Sequence, residues 1–148
     1  MRNPIHEFIH FNDLKDMLKK SGEAYGDRPA FVYKTKKQGV FEYITHKQYR
    51  EDIDCLGTAL IDLGLKNKRI AIISDNRYEW GLSYLAIVTG TGVVVPLDKL
   101  LPDNEIESLI MRSNVEAIIY SDKYNGIMKD LREKKNTKYF IRNYESCI

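Results

Sequence analysis

The chain has 148 residues, 43% apolar and 30% charged, which is one domain of ordinary globular composition, able to bury roughly 68–70% of its unfolded surface. Its 23 basic and 21 acidic residues leave a net charge of +2, too weak a field for a nucleic-acid footprint, and its basic clusters fall at expected loops and helix ends. Apolar runs such as Val93–Leu97 are far too short to cross a bilayer, Met1–Pro4 carries no apolar signal core, and two cysteines, Cys55 and Cys147, imply no disulfide framework, so the cytoplasm is the expected compartment.

Asn12 reads as the N-cap of a first helix whose stripe is Leu14, Met17, Leu18 and Tyr25, with Gly26 ending it in a left-handed turn. Two short β-like runs follow, Ala30–Tyr33 and Val40–Ile44. The polar Thr35–Gly39 between them predicts an antiparallel hairpin separate from the rest. Thr45 and Gln48 form a T-x-x-Q capping box ahead of Tyr49, Ile53, Leu56, Leu60 and Leu63, and Gly64 stops that helix.

From there the pattern alternates. Ile70–Ile73, Val93–Val95 (closed by Pro96), Ala117–Tyr120 and Tyr139–Ile141 are near-continuous apolar runs, the signature of strands buried on both faces. Between them lie helical stretches carrying Tyr78, Leu82, Leu85 and Val88, then Ile106, Leu109 and Ile110 after Pro102, then Tyr124, Ile127, Met128 and Leu131. Asp75 or Asn76 is expected to cap the first of these and Ser121-Asp122 the last. Strand and helix in this rhythm predict right-handed βαβ units and an α/β fold, a parallel sheet covered by helices. One domain of 1–148 results, with helix and hairpin over 1–45 and the parallel-sheet part over 46–148.

Several motifs yield to plainer readings. His6-Glu7-Phe8-Ile9-His10 matches the zinc-protease pattern H-E-x-x-H but has no third ligand downstream, since His46 belongs to another element. Gly90-Thr91-Gly92 follows a helix and precedes a strand, the reverse of a dinucleotide-binding turn, and fits a helix stop with close helix–sheet approach. No phosphate loop and no nucleophile elbow occur. Asp75, Asp98 and Asp122 each follow a strand, where clustered carboxylates could hold a cation, although Asp75 and Asp122 also fit helix-capping sites and capping is the commoner job for aspartate there.

The stretch Arg69-Ile-Ala-Ile-Ile-Ser-Asp-Asn-Arg-Tyr-Glu-Trp80, then Tyr84-Leu-Ala-Ile-Val-Thr-Gly90 and Val93-Val-Val-Pro-Leu-Asp98, resembles the N-terminal region of AMP-forming acyl-CoA synthetases of the adenylate-forming superfamily, nearest to the long-chain fatty-acid branch. Gly26-Asp27-Arg28-Pro29-Ala30, Ile44–Tyr49 and Ser121-Asp122 extend the likeness over 12–140. Thr89 and Thr91-Gly92 depart from it, where lysine or an alanine pair is commoner. The resemblance implies a partial adenylate-forming domain whose parent activates a carboxylic, fatty acid with ATP and Mg and transfers it to CoA. It implies that the phosphate loop, the magnesium-binding glutamate, the ribose-binding aspartate and the catalytic lysine lie downstream. No catalytic residue, metal ligand or bound cofactor is therefore expected within these residues, which should be inactive alone. Pro96, Leu97, Asp98 and Lys99 are expected to line the substrate and CoA side of the parent, whose remaining chain is the expected partner. An unprotected last strand would favour self-association. The other reading is a stand-alone α/β binding or interaction module without catalysis.

Overall fold

The computed structural model describes residues 9–34, 39–134 and 137–143. Helix α1 (Leu14–Tyr25) leads into strands β1 (Pro29–Lys34) and β2 (Phe41–Thr45), then helix α2 (His46–Asp62). Strand β3 (Arg69–Ile73) is followed by α3 (Tyr78–Ala86), β4 (Val93–Pro96), α4 (Asp103–Ser113), β5 (Ala117–Ser121), α5 (Asn125–Lys134) and β6 (Tyr139–Asn143). β1 and β2 form their own antiparallel hairpin, with Val32 opposite Tyr43 and Lys34 opposite Phe41. The other four strands make one wholly parallel sheet in the order β4-β3-β5-β6. The four runs expected to be parallel strands are so, in register Ile70 to Val94, Ile70 to Ala117 and Ile118 to Phe140.

Alternate side chains along these strands feed two cores, which is why the runs are apolar throughout. Ala71, Ile73, Ile118 and Tyr120 face Ile106 and Ile110 of α4 and Met128 and Leu131 of α5. Ile70, Ile72, Ala117 and Ile119 face the opposite way, towards Leu60 of α2 and Ile87 and Trp80 at the α3 side. A third cluster, Tyr49, Ile53 and Ala86 with Phe31 and Ile44, fastens the hairpin to α2 and α3. Fully burying one such isoleucine is worth about 1.5–3 kcal/mol.

The helix ends correct several expectations. The N-cap of α1 is Asp13, whose Oδ1 accepts from the Asp16 amide at 2.7 Å, while the Asn12 amide donates back to the Asp16 carboxylate at 3.0 Å. Gly26 is not left-handed; its φ is −33°, and a Cβ there would lie 2.8 Å from the Gly22 carbonyl oxygen, so close approach and not backbone hand requires the glycine. In the expected capping box, Thr45 accepts from the Gln48 amide at 3.1 Å, but the Gln48 side chain donates to Asp52 at 2.8 Å instead of returning to Thr45. Gly64 does stop α2, at φ +79°. Leu63 and Leu109, placed on buried stripes by their spacing, are 40% and 38% exposed. The expected loop Thr35–Gly39 lies outside the described residues except for Gly39.

α3 is shorter than its apolar pattern. Val88 belongs to a widened turn, Ile87–Thr91, that breaks at Gly90. Thr89 and Thr91 account for this locally: their hydroxyls donate to the carbonyls of Leu85 at 2.7 Å and Ala86 at 2.9 Å, replacing bonds that a regular last turn would make. These are the residues that depart from the family pattern, and the junction accommodates them. Gly92 then lies so near β3 that an added Cβ would be 2.2 Å from the Lys68 carbonyl oxygen, the close approach expected of the glycine pair.

Candidate functional site

The strand order reverses at β3: α3 carries the chain to β4 on one side, and α4 brings it back across to β5 on the other. In open parallel sheets a ligand crevice forms beyond the carboxyl ends of strands at such a reversal. Here those ends run into Ser74–Asn76, Pro96–Lys99 and Ser121–Asp122.

The structure ties these three exits together through Asp75. Its Oδ1 lies 3.2 Å from Lys123 Nζ and 3.4 Å from Lys99 Nζ. The hydrogen bond from Lys123, then that from Lys99, holds the Asp75 carboxyl below the usual carboxylate range. This corrects the expected capping role. The N-cap of α3 falls at Arg77, two residues beyond Asp75, and makes no side-chain cap, while Asp75 is engaged with the two lysines. Likewise Ser121 precedes the helical turn at Asp122–Tyr124 without a capping bond, and Asp122 Oδ1 lies 3.3 Å from Arg142 Nε.

Of the four residues expected to line a substrate, Lys99 joins the Asp75 cluster and its carbonyl accepts from the Tyr124 hydroxyl at 3.2 Å. Leu97 packs on the α4–α5 core and its amide donates to the Ile72 carbonyl at 2.9 Å. Asp98 is turned to its own loop, accepting from the Leu100 amide at 2.9 Å, and Pro96 is exposed at the end of β4. The three aspartates do not converge as a cation site. Asp75 is held by lysines, Asp122 faces an arginine, and among the described residues no three His, Cys, Asp or Glu side chains could hold a metal ion. His6, Glu7 and Phe8 of the H-E-x-x-H match lie outside the described residues.

A larger concavity lies between the hairpin and the start of α3. It measures 780 Å³, within the ordinary range of small-molecule sites, and is lined by Phe31, Val32, Lys34, Ile44 and the run Asn76–Gly81. Arg77 is neutralised inside it by Glu79 at 2.6 Å, whereas Lys34 and Asn76 make no side-chain hydrogen bond among the described residues. Its floor includes Phe31 and Tyr78, backed by the buried Tyr49, the three ring centroids lying 4.9–5.5 Å apart. The Tyr78 hydroxyl donates to Asp52 at 2.5 Å. Burial pushes the Tyr49 phenol up to about 12, and burial followed by the Asp52 contact pushes Tyr78 up further, so neither phenol can serve as a base near neutral pH. Sequence reasoning missed this floor and the Asp75 cluster. The partners stand 26 and 48 positions apart, and nothing local marks them.

Together these features define an open parallel α/β unit whose strand exits meet at Asp75. The chain belongs to the AMP-binding enzyme family, whose pattern it matches over residues 18–144. It is 36% identical over 88 residues to fatty acyl-CoA synthetase A of Dictyostelium discoideum, covering 59% of this chain and 13% of that protein. To long-chain-fatty-acid–CoA ligase 5 of Mus musculus it is 30% identical over 116 residues, covering 74% of this chain and 17% of the ligase. The chain thus spans under a fifth of the length of either relative. Two solved structures share the fold. The inhibitor-bound N-terminal domain of FACL13 from Mycobacterium tuberculosis superposes with a TM-score of 0.76 at 18% identity, over 90% of this chain and 34% of that one. A long-chain-fatty-acid-CoA ligase from Archaeoglobus fulgidus gives 0.76 at 15% identity, over 90% and 28%. The run Asn76–Trp80 that carried the resemblance is the run that lines the larger cleft.

Proposed function

We propose that these residues form the N-terminal part of the adenylating domain of an acyl-CoA synthetase, an acid–thiol ligase. Its parent joins a carboxylic, fatty acid to AMP at the expense of ATP and then passes the acyl group to CoA. The observation that carries this reading is the family match over 18–144, which spans the hairpin and all four parallel strands. The relatives' names, fatty acyl-CoA synthetase and long-chain-fatty-acid–CoA ligase, support the choice of a fatty acid. Within the reading, the described residues supply scaffold and cleft wall. The Pro96–Lys99 loop lines the substrate side of the crevice, with Lys99 and Lys123 fixed there by Asp75.

In this reading the groups that stabilise charge on the α-phosphate are supplied by other parts of the parent enzyme. The test is ATP–pyrophosphate exchange with fatty acids of graded length, run on the 148-residue chain alone and on the parent enzyme containing it. Exchange from the parent and none from the chain alone is the expected result. Acid-dependent exchange by the pure chain, or a folded parent inert towards every carboxylic acid, overturns it.

A further inference from the structure

A second cleft, apart from the crevice and the hairpin cavity, lies along the outer flank of α5 over the edge strand β6. It measures 560 Å³ and is lined by Tyr120, Asn125, Met128, Lys129, Arg132, Phe140 and Arg142. Three of these are cations and none is a carboxylate. Arg132 is already held in place: its guanidinium carbon sits 5.1 Å over the Phe140 ring, and its Nη2 donates to the buried Tyr120 hydroxyl at 3.5 Å. Asp122 braces Arg142 from the strand exit, 3.3 Å from its Nε. Lys129 and Asn125 make no side-chain hydrogen bond or ion pair among the described residues. Asn125 opens the ten-residue α5, with Met128, Lys129 and Arg132 following on the same helix, so these side chains line the cleft together.

We propose that this cleft binds a small phosphate-bearing anion. Planar guanidinium groups match phosphate oxygens in pairs, and an arginine pinned by an aromatic ring loses little freedom on binding. The donors that line it, Lys129, Arg132 and the Asn125 side-chain amide, suit a dianionic group better than a single carboxylate. The volume leaves room for an organic portion beside Met128 and Phe140. The inference stands on this geometry and is independent of the acyl-transfer reading, so either can fail alone.

The experiment is NMR titration of the full 148-residue chain with pyrophosphate and, separately, with AMP, following the Asn125, Lys129 and Arg132 amides. Saturable shifts at these amides with either ligand are expected. Lys129→Gln, an exposed change that leaves the fold intact, should weaken binding roughly tenfold, the loss of one charge-assisted contact. Arg132→Gln should weaken it at least as much, and Lys66→Gln, on a distant loop, should leave it unchanged. Absence of saturation with both ligands, or equal weakening by Lys66→Gln and Lys129→Gln, overturns the proposal.

Discussion

Replacing Gly92 by alanine tests how tightly β4 is docked. Its φ is −174°, extended backbone that any residue adopts, so the substitution carries no conformational penalty. The cost is steric. The new Cβ would lie 2.2 Å from the Lys68 carbonyl oxygen and 3.1 Å from the Lys68 nitrogen, about 1 Å inside ordinary van der Waals contact with main-chain atoms that cannot rotate away. That same carbonyl accepts the Val93 amide at 2.9 Å, the bond that starts the β3–β4 ladder. Overpacking of this kind costs about 1–3 kcal/mol, and losing the ladder bond adds about 1 kcal/mol. A total of roughly 3 kcal/mol is a large share of the 5–15 kcal/mol available to a domain. Gly64 provides the contrast. Its φ is +79° with nothing within 4 Å of the added Cβ, so Gly64→Ala should cost about 1 kcal/mol of left-handed strain alone. Urea unfolding followed by circular dichroism separates the two. Gly92→Ala should lower the midpoint by roughly 1–2 M, and Gly64→Ala by well under half as much. A Gly92→Ala midpoint equal to or above that of Gly64→Ala refutes the reasoning.

The Asp75 carboxyl should titrate below the ordinary carboxylate value by NMR, and Lys123→Gln should move it upward. Because its folded pKa is depressed, its contribution to stability is present above the unfolded value of about 3.9 and is lost as pH falls through the folded value, a loss that Asp75→Asn should abolish. Spectrophotometric titration of the ten tyrosines should leave at least two un-ionised at pH 11, and Tyr78→Phe should remove one of these. Tyr78→Phe should also cost about 1–2 kcal/mol in urea unfolding, since Asp52 keeps only its bond from Gln48; no change would show that the 2.5 Å contact contributes nothing. Sedimentation of the isolated chain should reveal concentration-dependent association through the β6 edge, and a clean monomer at high concentration would refute this.

The strands were legible because burial on both faces leaves a plain trace. Ile70–Ile73 and Ala117–Tyr120 are apolar at every position, and every one of those residues is buried between two helix layers. The hairpin was legible for the opposite reason, as two short runs parted by a polar stretch ending in Gly39. What failed were the ends of elements, where a polar residue has several possible partners. Asn12 and Asp13 both fit a cap, and only the backbone conformation selects Asp13. Asp75 is of a capping type, but α3 starts two residues later, behind Arg77, and Asp75 pairs with Lys99 and Lys123 instead. Val88 fits the helical stripe, yet Thr89 and Thr91 satisfy the last carbonyls with their hydroxyls and widen the turn.

The candidate site was less legible than the fold, and the reason is sequence separation. A strand announces itself within five residues, whereas the crevice is assembled from loops that follow three different strands. The Pro96–Lys99 loop was visible as a proline-stiffened exit, but its four residues turn out to have three different duties. Lys99 meets Asp75 across the sheet, Leu97 enters the core, and Asp98 closes its own turn. The basic cleft on α5 is hidden in the same way. Lys129 and Arg132 look like a solvated helix face until β6 places Phe140 and Arg142 beside them. Helical spacing explains why these two cations share a surface, and only the parallel pairing of β5 with β6, Ile118 opposite Phe140, turns that surface into a concave one.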